Sequence, residues 1–271
     1  MTAGPERSFL AVAVEAARLA GEVVMRNLGG LSRGDIEAKH AADFVTRADR
    51  ESEEAIKGAI ARRFPDHSFL AEESGAGPSG SEYRWIIDPL DGTTNFIHGF
   101  PVFAVSVALE HRGEIIAGAV LDPTRQELFT AEKGGGAFLN GRPVRVSGLA
   151  SMADSLIATG FPFRKKELID VYLRAFKGVF MKVSGMRRAG AAALDLAYVA
   201  AGRCEGFFEA GLSPWDVAAG DILVREAGGL ISDFAGGGGH LSTGNVVAAN
   251  PAVHAVLLRE VREAFGGAIE R

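Results

Sequence analysis

The sequence predicts a mixed α and β fold of the α+β class, on three patterns: two amphipathic helices at the start, short strands without helical period in the middle, and helices alternating with strands afterwards. With 271 residues the chain exceeds the roughly 100 to 200 residues of an ordinary domain, which suggests one large domain or two fused lobes around a shared core. Forty-seven per cent apolar and 23% charged residues mark a globular protein and exclude wholesale disorder, collagen-like repeats and coiled coil. Twenty-nine Lys and Arg against 34 Asp and Glu leave a net charge of −5, too acidic for binding that rests on neutralising a phosphate backbone. Nucleic acid is therefore not the expected partner. A single cysteine excludes an intramolecular disulfide. No apolar run of about 18 residues and no basic-then-apolar leader is seen, so the expectation is a soluble cytoplasmic protein without a membrane partner.

The elements follow in order. After Pro5, apolar residues from Phe9 to Leu28 recur with helical period and stop at Gly29-Gly30, which gives one amphipathic helix. A second runs from about Ala48 to Phe64, ended by Pro65. Thr46 and Asp49 have the spacing of a capping box at its start. Strands are expected at Phe69 to Ala71 and Trp85 to Asp88, separated by a mobile surface loop at Gly75 to Ser81. Strand-like runs at Phe103 to Leu109, Ile115 to Leu121 and Glu127 to Ala131 read as an antiparallel meander. Helices return at about Lys165 to Phe180, Ala191 to Ala201, Asp216 to Ala227 and Ala252 to Phe265. Strands lie between them at Ser155 to Ala158, Cys204 to Glu209, Leu230 to Asp233 and Val246 to Ala249. A lobe boundary near residue 150 follows, with an N-terminal α+β lobe over 1–149 and a C-terminal α/β lobe over 150–271. Gly236 to Gly239 reads as a turn tip, since no phosphate-loop pattern opens a helix there.

The sharpest chemical feature is Trp85-Ile-Ile-Asp-Pro-Leu-Asp-Gly-Thr-Thr-Asn95. A buried strand delivers Asp88 to its end, Pro89 removes a donor and forces a turn, and Asp91 stands at the entry to a short helix. Two carboxylates with the Leu90 carbonyl form an all-oxygen set suited to Mg²⁺ or Ca²⁺ and not to zinc or copper. The free amides of Gly92, Thr93 and Thr94 would offer a phosphate a seat beside the ion. Two further acidic elements, Glu72-Glu73 after a strand and Asp216 after Ser213-Pro214, have ordinary readings as a solvated turn and a helix cap when taken singly. Four carboxylates at the ends of buried elements, with no Cys or His cluster nearby, would repel one another unless cations neutralised them. The Gly-x-Ser-x-Gly elbow of acyl-transfer enzymes is missing. His98 reads as structural, Cys204 as a small buried hydrophobe, and the Arg187-Arg188 pair as a surface or interface element in preference to a second anionic contact.

Asp88-Pro-Leu-Asp-Gly-Thr-Thr-Asn-Phe, with Glu72-Glu-Ser before it and Trp215-Asp-Val-Ala-Ala-Gly after it, resembles the inositol monophosphatase family of Mg²⁺-dependent, lithium-sensitive phosphatases. The likeness spans almost the whole chain, from Lys39 and the Asp43 to Asp49 segment through Arg187-Arg-Ala-Gly-Ala-Ala-Ala-Leu-Asp to Asn250. It implies a layered α-β-α-β-α sandwich, a homodimer, two or three Mg²⁺ per site and a small phosphomonoester substrate. Carried over by position, Glu72, Asp88, Asp91, Asp216 and the Leu90 carbonyl would hold the ions, with Asp88 bridging. Thr93 and Glu72 would orient the attacking water, and Asp49 with Thr46 would join that network. Gly190 and Ala191 would offer backbone amides to the substrate, while Glu209 and Asp91 would accept hydrogen bonds from its hydroxyls. Ala191 departs from relatives that carry Ser or Thr there, and Ala71 from those with Gly. The same metal motifs serve phosphatases of fructose 1,6-bisphosphate and histidinol phosphate, and bacterial relatives also act as protein-binding factors in transcription complexes.

Overall fold

The structure, a computed structural model, describes residues 8–40, 43–78, 80–163 and 165–266; the side chains of Lys39, His40 and Asp43 lie outside that description. The first part of the chain forms α1 (Phe9–Asn27), β1 (Ile36–His40), β2 (Asp43–Thr46), α2 (Arg47–Ala61), β3 (Ser68–Ala71), β4 (Gly75–Ala76), β5 (Tyr83–Asp91) and α3 (Thr93–Ile97). Five strands follow: β6 (Ala104–His111), β7 (Glu114–Asp122), β8 (Glu127–Glu132), β9 (Gly136–Leu139) and β10 (Arg142–Val144). The remainder is β11 (Leu156–Thr159), α4 (Ile169–Phe180), β12 (Gly185–Arg187), α5 (Ala192–Ala200), β13 (Gly206–Glu209), α6 (Pro214–Glu226), β14 (Leu230–Ser232), α7 (His240–Thr243), β15 (Val246–Ala249) and α8 (Pro251–Phe265).

Two sheets separate three layers of helix. The larger has eight strands in the order β10-β9-β8-β7-β6-β5-β3-β4, antiparallel except where β3 runs parallel to β5. The smaller has five in the order β12-β11-β13-β15-β14, with β11 parallel to both of its neighbours. One apolar cluster joins α1 and α2 to the outer face of the large sheet through Ala16, Ala20, Ile56, Ile60, Trp85 and Val107. A second fills the middle, where α5 and α6 lie between the sheets and bury Leu196, Ile222, Phe129 and Phe207 together. A third packs α4 and α8 on the far face of the small sheet around Tyr172, Phe208 and Leu257. Each sheet is thus buried on both faces, which explains why β6 and β15 read as continuous apolar runs. The layer order is α-β-α-β-α.

Three local expectations change. Pro89 does not end its strand: β5 continues to Asp91, and its pairing with β6 shifts register between Asp88 and Asp91. A residue without an N–H inside a central strand is accommodated by such a bulge. Gly75 to Ser81 is not all loop, because Gly75 and Ala76 pair with Ala71 and Leu70 at the sheet edge; Ser79 lies outside the described residues. Cys204 precedes its strand, which begins at Gly206. It is buried, and burial pushes its thiol up to about 12. At Gly236 to Gly239 the chain does turn, held by Asp233, whose carboxylate accepts the Gly237 and Gly239 amides.

Candidate active site

The bulge in β5 decides where the carboxylates go. Asp88 lies opposite Ser106 in the β5 and β6 pairing, and the Leu90 amide donates to Asp88 Oδ1 at 3.0 Å, which fixes the carboxylate inside the bulge. Ser106 Oγ donates in turn to the Trp215 carbonyl at 3.2 Å, bringing the start of α6 against the same strand pair. There Asp216 occupies the third helical position, and its Oδ2 accepts the Ser213 amide at 2.7 Å. The cap reading of Asp216 therefore holds as local structure, and the cap is what aims it. Carboxylate oxygens of Asp88, Asp91 and Asp216 all lie within 4.8 Å of one another.

Glu72 follows β3, its amide donating to the Ile87 carbonyl at 3.1 Å, and it lines the same cleft. Burial, reinforced by Glu72, Asp91 and Asp216, pushes the Asp88 carboxyl well above the usual carboxylate range. Asp91 is raised in the same way by burial and Asp216, and the Ala193 amide partly offsets this. Buried carboxylates this close cannot all ionise without a cation among them. Their all-oxygen character suits a hard divalent ion, so the residues present fit the Mg²⁺ that the motif implies.

Around the cluster the cleft measures about 290 Å³ and is lined by Glu72, Leu90, Gly92, Thr93, Gly190 and Glu209 together with the three aspartates. Gly92 opens α3 with φ of +89°, and a Cβ there would stand 2.9 Å from the Val102 carbonyl oxygen. Both features require glycine. Thr93 Oγ1 is 3.0 Å from Asp49 Oδ1 and 3.0 Å from the Leu90 carbonyl oxygen. Asp49 Oδ2 accepts from the Thr46 amide at 2.8 Å and the Thr46 hydroxyl at 2.5 Å, the capping box expected from their spacing. Thr46 and Asp49 are fully buried and stand behind the cleft wall, not on it.

The segment before α5 and the start of α5 complete the cleft. The Asn95 amide group donates to the Val102 carbonyl at 2.7 Å and the Ala189 carbonyl at 2.9 Å, tying α3 to the segment before α5. Ala191, at the cap position of α5, has no side chain able to cap it; Asp91 Oδ2 accepts the Ala193 amide at 2.8 Å instead. Gly190 borders the cleft, as does Ala192, whereas Ala191 is buried and is not among the lining residues. His98 is exposed and also away from the lining.

Sequence reasoning misses one residue here and ranks the reading of another low. Arg188 is expected at a surface or interface before an anionic contact, and it is exposed, but it also lines the cleft, with its guanidinium 4.9 Å from the Phe163 ring and 5.6 Å from the Phe161 ring. Its neighbour Arg187 turns away to the Met186 carbonyl. Asp195, buried in the first turn of α5, is held well above the usual carboxylate range by burial and by Glu209 and Asp91. Neither role follows from local sequence alone, since Arg188 takes its setting from Phe161 and Phe163 and Asp195 from Glu209 and Asp91, all distant from them in the chain.

Residues 6–265 match the model of the inositol monophosphatase family. A Pseudomonas aeruginosa protein named Nus factor SuhB is 48% identical over 268 residues, covering 97% of this chain and 99% of that protein. An inositol-1-monophosphatase of Mesorhizobium japonicum is 47% identical over 257 residues, covering 94% and 97%. Among solved structures, the extragenic suppressor protein suhB of Bartonella henselae superposes with a TM-score of 0.90 at 45% identity, covering 93% of this chain and 98% of that one. Such a match along nearly the full length, on a fold with this layer order and this acidic cleft, has one meaning: the chain belongs to the inositol monophosphatase family.

Proposed function

We propose that this protein is a Mg²⁺-dependent phosphomonoesterase that hydrolyses inositol monophosphate, or a similar small polyol phosphate, to alcohol and inorganic phosphate. The observation that carries this is the convergence of Asp88, Asp91 and Asp216 within 4.8 Å in a cleft that also presents Glu72 and Thr93. Those three aspartates, Glu72 and the Leu90 carbonyl would hold the ions. Bound there, Mg²⁺ would lower the pKa of water and neutralise charge on the phosphate, which is how a very slow hydrolysis is brought to useful rates.

The chain's own groups do the rest. Asp49, saturated by Thr46 on one oxygen, fixes the Thr93 hydroxyl with the other, and Thr93 with Glu72 orients the water that attacks phosphorus. The amides of Gly92, Thr93 and Thr94 seat the phosphate oxygens. Glu209 and Asp91 accept hydrogen bonds from the alcohol, and the Gly190 amide borders it. The test is phosphate release from inositol 1-phosphate with and without Mg²⁺, in the wild type and in Asp88→Asn and Asp216→Asn. Turnover that needs Mg²⁺ and is nearly abolished in both variants is expected. Full turnover in EDTA would sink the proposal. The resemblance adds lithium inhibition at millimolar concentration, uncompetitive or mixed against substrate.

We further propose a homodimer. Ile169, Leu173 and Phe180 lie exposed along one face of α4, and such an assembly would cover apolar surface of this kind. A second reading rests on the relatives named Nus factor SuhB, which favour a protein-binding role in transcription complexes beside the catalytic one. Retention of the acidic cluster supports an enzyme in either case.

A further inference from the structure

The cleft is acidic at its floor. Glu72, Asp88, Asp91, Glu209 and Asp216 all line it, and among the described lining residues Arg188 is the one cation. No carboxylate of the described residues lies within ion-pair distance of its guanidinium, which rests over the rings of Phe163 and Phe161. Two aromatic faces hold the cation in place without neutralising it, leaving its N–H edge available to an incoming anion. Gly190 makes that position available: a Cβ there would come within 2.5 Å of Arg188 Nη1. The clustered carboxylates come from β5 and α6, with Glu72 just after β3, while Arg188 follows β12, so the cation and the acidic cluster reach one cleft from different elements.

We propose that Arg188 is a specificity-determining residue that selects alcohols bearing a second anionic group, a carboxylate or a second phosphate, remote from the phosphate being removed. This rests on the phosphomonoesterase reading and narrows its substrate class. A planar guanidinium meets either anion through paired N–H donors, a geometry that lysine does not reproduce. A neutral polyol phosphate uses the metal cluster and Glu209 but leaves the cation solvated, gaining nothing from it. The ester bond broken and the water consumed are the same for both substrate types; only the anchoring of the far end differs.

The matched pair for a test is 6-phosphogluconate and sorbitol 6-phosphate, which share one scissile phosphate and differ at the remote end by carboxylate against alcohol. Fructose 1,6-bisphosphate and fructose 1-phosphate, with fructose 6-phosphate followed as product, give the phosphate arm. The wild type should favour the doubly anionic member of at least one pair by about tenfold or more in kcat/KM, mostly through KM. In Arg188→Gln that preference ratio should collapse towards one, and in Arg188→Lys it should fall part of the way. Thermal melting of both variants shows that they fold. Equal kcat/KM for the members of both pairs in the wild type would overturn the proposal, as would a ratio unchanged in Arg188→Gln. If no monoester is turned over, the phosphatase reading fails by itself. Calorimetric titration of the same compounds with Mg²⁺ then decides this one: tighter binding of 6-phosphogluconate, lost in Arg188→Gln, upholds it, and equal binding overturns it.

Discussion

The Thr93 hydroxyl lies 3.0 Å from Asp49 Oδ1 across 44 positions of sequence, and it joins the first turn of α3 to the first turn of α2 at the back of the cleft. Asp49 is held on both oxygens: by the Thr93 hydroxyl on one, and by the Thr46 amide and hydroxyl on the other. A carboxylate is the one side-chain group of this size with acceptors on both ends.

Asp49→Asn therefore meets a donor whichever way its amide turns. It should cost about 1 to 3 kcal/mol of stability and lower kcat by roughly 10². Thr93→Val keeps the shape and removes the hydroxyl, so it should lower kcat with little change in KM. Thr46→Ala should cost about 1 kcal/mol in stability with a smaller kinetic effect. Thermal melts and steady-state rates on one substrate separate these outcomes. An unchanged kcat in Thr93→Val would reduce the contact to a fastening between α2 and α3.

Asp91 has two duties that substitution can divide. It accepts the Ala193 amide and so caps α5 from the end of β5, and it stands in the carboxylate cluster. Asn is as good a cap as Asp, so in metal-free buffer near pH ~4, where the folded wild type keeps its proton at this site, Asp91→Asn should keep the melting temperature near wild type, and it should nearly abolish turnover. Asp91→Ala should lose about 1 kcal/mol as well. Equal melting temperatures for the Ala variant and the wild type would show that α5 needs no cap from β5.

In the metal-free protein the same carboxylates make stability depend on pH with a definite sign. Asp88, Asp91 and Asp195 are held above their ordinary range when folded, so the folded state keeps protons that the unfolded chain releases. Stability then falls as pH rises from the ordinary carboxylate range up through the raised values. At roughly neutral pH, Mg²⁺ should raise the melting temperature by binding the ionised folded form. Asp195→Asn should raise it in EDTA at neutral pH and bring little gain near pH ~4, where the folded wild type is already protonated at that site. A variant less stable than wild type at neutral pH in EDTA would mean that Asp195 is ionised in the fold.

How much of this can be read from sequence follows from chain distance. Asp88, Leu90, Asp91, Gly92 and Thr93 are contiguous, and their strand-to-helix setting is legible as a cation site from the residues alone. The large helices are legible because each presents one apolar stripe to a sheet. The β1 and β2 hairpin is not, since Ile36-Glu-Ala-Lys-His mixes polar and apolar residues without a clear apolar face and its sheet has two strands only. Strand β12 has three residues, and Arg188, just after it, gains its meaning from Phe161 and Phe163 more than 20 residues away. Pro89 misleads for a physical reason: a proline usually ends a central strand, and here the bulge that absorbs it is what shapes the site.

The last prediction concerns how the cleft chooses its alcohol. Glu209 ends β13, and its carboxylate lies against Gly160, where a Cβ would come within 2.0 Å of the Glu209 carboxyl carbon. Gly160 has no left-handed backbone to excuse it, so its role is space. Gly160→Ala should displace the Glu209 carboxylate without straining the chain locally. If Glu209 reads the alcohol, Gly160→Ala and Glu209→Gln should flatten the ranking of inositol 1-phosphate, glycerol 2-phosphate and a nucleoside 2′-phosphate by about one to two decades, because a poorly matched alcohol no longer meets an acceptor that it cannot satisfy. If the phosphate is seated by the ions and the Gly92 to Thr94 amides, as proposed, the poorest substrate should lose least. Specificity constants for all three alcohols on the three proteins make the comparison. An equal fall on every alcohol in both variants would assign Glu209 to the support of the carboxylate cluster, near Asp91 and Asp195, and the choice of alcohol would then rest on the Arg188 side of the cleft.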